Sequence, residues 1–109
     1  MVGFLNNGTH RAFKRISDGS HLYAADSSTY NETEKDYFVF QIYRNGDRHI
    51  FSIWGIRAPG TYAGGTCFID LIYPNLHEYT DQYCVFSWTD SNNDGMPQRG
   101  EITLEASGI

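Results

Sequence analysis

The chain has 109 residues, 40% hydrophobic and 16% aromatic, enough apolar material for one domain with a single core. Its formal charge of −5, from 13 acidic against 8 basic residues, argues against non-specific nucleic-acid binding, which needs a basic face to displace counterions. No apolar run approaches the roughly 20 residues that cross a membrane as a helix.

The N-terminal stretch MVGFLNNGTH has neither a basic start nor an apolar segment, so it is not read as a secretion signal. Strand and turn signals then recur along the chain. GFLNNGTHRAF reads as a small hairpin turning at Asn6-Asn7-Gly8, and KRISDGSHLYA turns at Asp18-Gly19. ADSSTYNETEKD is polar and charged, and is expected to be an exposed loop.

YFVFQIYR and RHIFSIWG flank Asn45-Gly46-Asp47, and Asn-Gly is a strong hairpin signal. With Asn45-Gly46 as the turn, Phe38, Phe40 and Ile42 oppose Ile53, Phe51 and His49. A bulge at Asp47 would shift that register by one. RAPGTYAGG follows as a Pro/Gly-rich connection, and no segment shows a helical period of sufficient length.

GTCFIDLIY and EYTDQYCVFSW read as a second hairpin around Pro74 to His77. That register places Cys67 opposite Cys84, at a separation suited to a disulfide. A disulfide would imply an oxidising, extracytoplasmic compartment; two buried free thiols are the alternative. The same register sets Asp70 against Asp81, an unfavourable pairing of like charges unless the residues splay, the register differs or a cation intervenes. EITLEASG alternates, with Ile102, Leu104 and Ala106 expected inward.

Between those last two strands lies DSNNDGMPQRGE, residues 90 to 101, which matches the oxygen-ligand pattern of a calcium loop. Asp90, Asn92 and Asp94 take the first, third and fifth places. Met96 offers a carbonyl at the seventh, Gln98 stands at the ninth, and Glu101 ends the loop. Pro97 and the strand-like flanks set it apart from a helical calcium hand. The expected cofactor is therefore Ca2+ held in a hairpin loop, against a plain loop rich in Asx turns.

No catalytic constellation emerges. His10, His21, His49 and His77 are dispersed, and no GxSxG elbow surrounds any serine. The aromatic content includes Trp54, Tyr62, Tyr79 and Tyr83, candidates to stack on sugar rings or anchor a partner if exposed. Asn7 and Asn31 head N-x-T acceptor sequences for glycosylation.

FSIWG at Phe51 to Gly55, Gly60-Thr61-Tyr62, and GEITL at Gly100 to Leu104 together resemble small secreted or lipid-anchored β-sandwich proteins of Bacteroidetes type. The likeness covers about the second half of the chain. It implies a sandwich fold and an envelope location, with no defined activity.

These readings converge on a single all-β domain over residues 1–109, an antiparallel β-sandwich or jelly-roll-like fold of six to eight short strands. The expected function is a non-catalytic extracellular or cell-envelope binding module, stabilised by calcium, that recognises glycan or surface ligands through exposed aromatics. The alternative is a structural subunit of an extracellular filament or surface layer, assembling with its own copies through edge strands.

Overall fold

The computed structural model describes residues 2–6, 10–15, 18, 21–26, 35–79 and 81–108. The first three strands, β1 (Val2–Asn6), β2 (His10–Arg15) and β3 (His21–Asp26), form an antiparallel sheet in that order. The turn Asn6-Asn7-Gly8 lies partly outside the described residues, and the acceptor asparagines Asn7 and Asn31 lie wholly outside them. Four longer strands, β4 (Lys35–Asn45), β5 (Arg48–Gly55), β6 (Gln82–Thr89) and β7 (Ile102–Gly108), make a second antiparallel sheet of order β5-β4-β6-β7.

The β4–β5 hairpin forms, but two residues out of the expected register. Asn45 pairs with Arg48, so the turn is Gly46-Asp47, and Phe40 faces Ile53 while Ile42 faces Phe51. Gly46 carries the positive φ of 63°, at the first central position, where a type II′ turn demands glycine. A slip of two leaves every side chain on its expected face, because strand side chains alternate with period two.

The larger departure is helix α1 (Ala58–Cys67), which replaces the expected Pro/Gly connection. A π-helical turn (Phe68–Ile72) and a 3-10 segment (Tyr73–Tyr79) continue it, so the expected Cys67–Cys84 hairpin is absent. Pro59 sits in the first turn of α1, where its missing N–H costs nothing. The helix start is capped from a distance: the Asp36 carboxylate, fully buried on β4, accepts hydrogen bonds from Arg57 N–H (3.0 Å) and Gly60 N–H (2.7 Å). A side-chain carbon on Gly60 would stand 2.4 Å from the Tyr37 carbonyl oxygen, so this turn reaches the strand only as glycine. The buried residues Gly60, Ala63, Gly64 and Cys67 repeat at i, i+3, i+4 and i+7, a helical stripe written in small side chains.

The four-stranded sheet is covered on both faces. On one, Phe38, Phe40 and Ile42 of β4 and Cys84, Phe86 and Trp88 of β6 pack with Ala63, Cys67 and Ile72. On the other, Val39, Tyr83, Val85 and Ile56 enclose Phe13 of β2, whose ring meets Trp54 edge-on at 5.1 Å. Each of the fully buried Phe, Ile and Val side chains here contributes about 1.5–3 kcal/mol. The all-β sandwich or jelly roll expected from sequence is therefore overturned. The domain combines α and β structure, with a helical layer against one face of a four-stranded antiparallel sheet.

Strand β7 also breaks its expected alternation. Val85 pairs with Ala106, but Phe86 pairs with Leu104, so a bulge absorbs one residue between them. Ile102 consequently packs on the helix side and Ala106 on the opposite side. Leu104, expected inward, is 52% exposed. Among the described residues no helix is long and apolar enough to cross a membrane.

Candidate functional site

The loop from Asp90 to Glu101 leaves the end of β6 and re-enters β7 through a short 3-10 turn (Arg99–Glu101). Its bends match its residues: Asn93 and Gly95 adopt positive φ, conformations that Asn and Gly accept with least strain. The carboxylates of Asp90, Asp94 and Glu101 converge, with one oxygen from each lying within 4.8 Å of the others. Oxygens that share one cation at about 2.4 Å can stand no more than about 4.8 Å apart, so the three lie within reach of a single ion, a spacing that does not select calcium.

The three groups differ in how far they are already satisfied. Glu101 accepts from Ser91 N–H (2.8 Å), the Ser91 hydroxyl (3.2 Å), Gln98 N–H (3.0 Å) and the Trp88 indole (3.4 Å). Burial pushes its carboxyl pKa up, but these donors outweigh burial and hold it below the usual value. Asp94 is also lowered, foremost by Met96 N–H at 2.9 Å, with Gln98 and Asn92 side-chain amides adding to it. Asp90 accepts Gly95 N–H through Oδ2 at 2.9 Å, while its Oδ1 is buried without a hydrogen-bond partner. That oxygen is the one unsatisfied acceptor of the triad.

Of the six residues expected to ligate calcium, the structure thus gathers the three carboxylates. The Asn92 and Gln98 side chains turn instead to Asp94, and Met96 engages Asp94 through its N–H. They shape the loop. Glu101, the residue farthest along the pattern, joins the cluster because its turn precedes β7 directly.

The aromatic candidates separate by burial. Tyr83 is in the core, Tyr79 lies edge-on to Phe40 at 6.1 Å, and Trp54 packs on Phe13. Tyr62 alone of the four is freely presented, at 54% exposure on α1. It lines a groove of about 270 Å³ with Ala58, Pro59, Gly95, Met96 and Pro97. The helix expected to be a loop therefore carries Tyr62 against the acidic loop. Only the helical stripe at Gly60, Ala63, Gly64 and Cys67 in the sequence could have signalled this.

Cys67 and Cys84 are free thiols, both buried in the same core cluster. Cys67 ends α1 rather than opposing Cys84 across a hairpin. Burial pushes the Cys67 thiol up to about 12, with Cys84 and Asp70 adding to the rise, and burial alone raises Cys84 to about 11. Asp70 now stands in the π-helical turn, away from any ladder, and Asp81 lies 3.9 Å from Arg44. The expected clash between those two acids does not arise.

No protein-family model, curated protein or solved structure matches this chain.

Proposed function

We propose that the chain is a non-catalytic binding module of the cell exterior or envelope, recognising a glycan at the Tyr62 groove beside a calcium-stabilised loop. The observation that carries this reading is the meeting of exposed Tyr62 with Gly95, Met96 and Pro97 in one groove. An exposed tyrosine ring offers a flat apolar face to the C–H groups of a sugar, and its hydroxyl stays available for polar contacts. Apolar Pro59, Met96 and Pro97 surround the ring, so a ligand there would displace water from a largely apolar surface.

Calcium enters through Asp90 Oδ1, the buried acceptor without a donor, together with the neighbouring oxygens of Asp94 and Glu101. A site with so few free ligands suits the weak affinity of extracellular modules, on the order of 10⁻⁴ to 10⁻³ M. Its effect would be to hold the Gly95–Pro97 wall of the groove in place. A location outside the cytoplasm would supply calcium at the concentration that so weak a site needs. Titration calorimetry against a panel of oligosaccharides, repeated with Tyr62→Ala, tests the reading. Binding that falls at least ~10-fold in the variant supports it. No bound sugar in the panel, or binding indifferent to Tyr62, sinks it.

A structural subunit is the second reading, and one observation favours it. Both terminal strands, β1 and β7, stand at the edges of their sheets, where a neighbouring copy can add a strand. Light scattering that shows open-ended polymers growing with concentration would select this reading.

A further inference from the structure

The outer edge of β5 differs from the terminal edges in length and in what it presents. It runs eight residues, Arg48–Gly55, and among the described residues no strand pairs with its outer side. Natural edge strands are usually blunted by lysine, proline, a bulge or shortness. This edge contains neither lysine nor proline, and its ladder to β4 has no irregularity. Its neighbouring surface is apolar: Ile50 and Phe51 are each 56% exposed, and Phe51 stacks on Phe68 at 5.8 Å.

The backbone makes the edge specific. A two-residue hairpin closes on a hydrogen-bonded pair, here Asn45 and Arg48. Alternate residues of β5 from Arg48 onward therefore spend their backbone groups on β4, and Ile56 N–H continues that series onto the Tyr37 carbonyl at 3.0 Å. His49, Phe51, Ile53 and Gly55 point theirs outward. Gly55 N–H is already taken by the Thr61 hydroxyl at 2.9 Å. Among the described residues, the outward donors left over are those of His49, Phe51 and Ile53, a set symmetric about Phe51.

We propose that β5 pairs antiparallel with β5 of a second copy about a two-fold axis at Phe51, joining two four-stranded sheets into one. In this register Phe51 faces Phe51 of the second copy, and His49 faces Ile53, so all three free positions are used on each side. Arg48 falls opposite Trp54 of the second copy, on the same sheet face, a cation–ring arrangement. The two Arg48 side chains stand about 20 Å apart at a rise of about 3.3 Å per residue, beyond the screening length of about 8 Å. β5 carries no acidic residue, so two chains of net charge −5 bring no carboxylate of this strand together. An isologous contact of this kind closes on itself and removes the exposed edge. The dimer is independent of the glycan reading and differs from a polymer built through β1 and β7.

Sedimentation velocity over a micromolar to millimolar range tests it, beside two variants. The expected species is a reversible dimer of the 12.4 kDa chain. His49→Pro removes an outward N–H that β4 does not use, and should weaken dimerisation at least ~10-fold while the far-UV spectrum stays native. Phe51→Cys, oxidised with diamide, should form a disulfide between copies, because opposed residues of a hydrogen-bonded pair have α-carbons about 5.5 Å apart. A wild-type monomer throughout the range overturns the proposal. So does a dimer unaffected by His49→Pro with no Phe51→Cys cross-link, or an open-ended polymer.

Discussion

The Asp36 carboxylate accepts a 2.7 Å hydrogen bond from Gly60 N–H, tying the start of β4 to the first turn of α1 across 24 residues of sequence. It also takes Arg57 N–H and, at 2.8 Å, its neighbour Tyr37 N–H. One buried side chain thus satisfies donors that the helix start would otherwise leave orphaned.

Asp36→Ala should therefore destabilise the fold by about 2–4 kcal/mol, since it strands buried N–H groups as well as losing the bonds themselves. Gly60→Ala should cost about 1–3 kcal/mol through overpacking against the Tyr37 carbonyl and Asp36. Urea denaturation of both variants measures this. A change below about 0.5 kcal/mol in Asp36→Ala would show that the helix start does not depend on β4.

Melting with calcium and with EDTA tests the acidic loop. For a dissociation constant near 10⁻³ M, 10 mM calcium should add about 1.4 kcal/mol of stability, raising Tm by several degrees. Asp90→Asn should abolish that rise. An unchanged Tm retires the calcium reading.

The same loop predicts an acid dependence. Asp94 and Glu101 both ionise more readily in the folded chain than their ordinary carboxyls do. Their contribution is present above the unfolded values of 3.8 and 4.5 and is lost as pH falls through the lower folded values. Without calcium, Glu101→Gln should flatten the decline in stability below pH about 4.5, as followed by denaturation at graded pH.

The buried thiols give the opposite sign at high pH. Cys67 and Cys84 rise from 9.0 to about 12 and about 11, so the folded state keeps them protonated while an unfolded chain ionises. Their contribution is complete below pH 9.0 and is lost as pH climbs towards the folded values. At neutral pH iodoacetamide should label neither thiol until denaturant is added. Rapid labelling of native protein would show that the core opens locally.

Leu104 and Ile102, on one face of β7, test how that face is covered. Leu104→Ser should change stability by less than about 0.5 kcal/mol, because the side chain is largely in solvent. Ile102→Ala, packed on the helix side, should cost about 1–2 kcal/mol, less than a fully buried site. Reversal of that order in urea denaturation would show that Leu104, not Ile102, is the packed residue of this face.

Much of the chain was legible locally. YFVFQIYR, RHIFSIWG and CVFSW announce strands through aromatic and β-branched residues, and the Asn45-Gly46-Asp47 stretch marks the hairpin of the first two. The carboxylates Asp90, Asp94 and Glu101 were picked out by spacing alone, and they do converge. CFIDLIY misled: its hydrophobic run reads as a strand when taken with Cys67, yet it continues the helix. The aromatic candidates were also mixed, because residue type does not distinguish a core tyrosine such as Tyr83 from an exposed one such as Tyr62.

The sequence by itself determined that a hairpin joins β4 and β5, where the strands of the central sheet run and the oxygen-rich loop, since each rests on interactions within a few residues. Tertiary structure decided α1, the bulge in β7 and the meeting of Tyr62 with the loop. Gly60, Gly64 and Gly65 give the helix little intrinsic stability. It forms because Asp36, 24 residues before Gly60, caps it and the sheet accepts its small-residue face at close range, with Ile53 of β5 and Phe38 of β4 against Gly64.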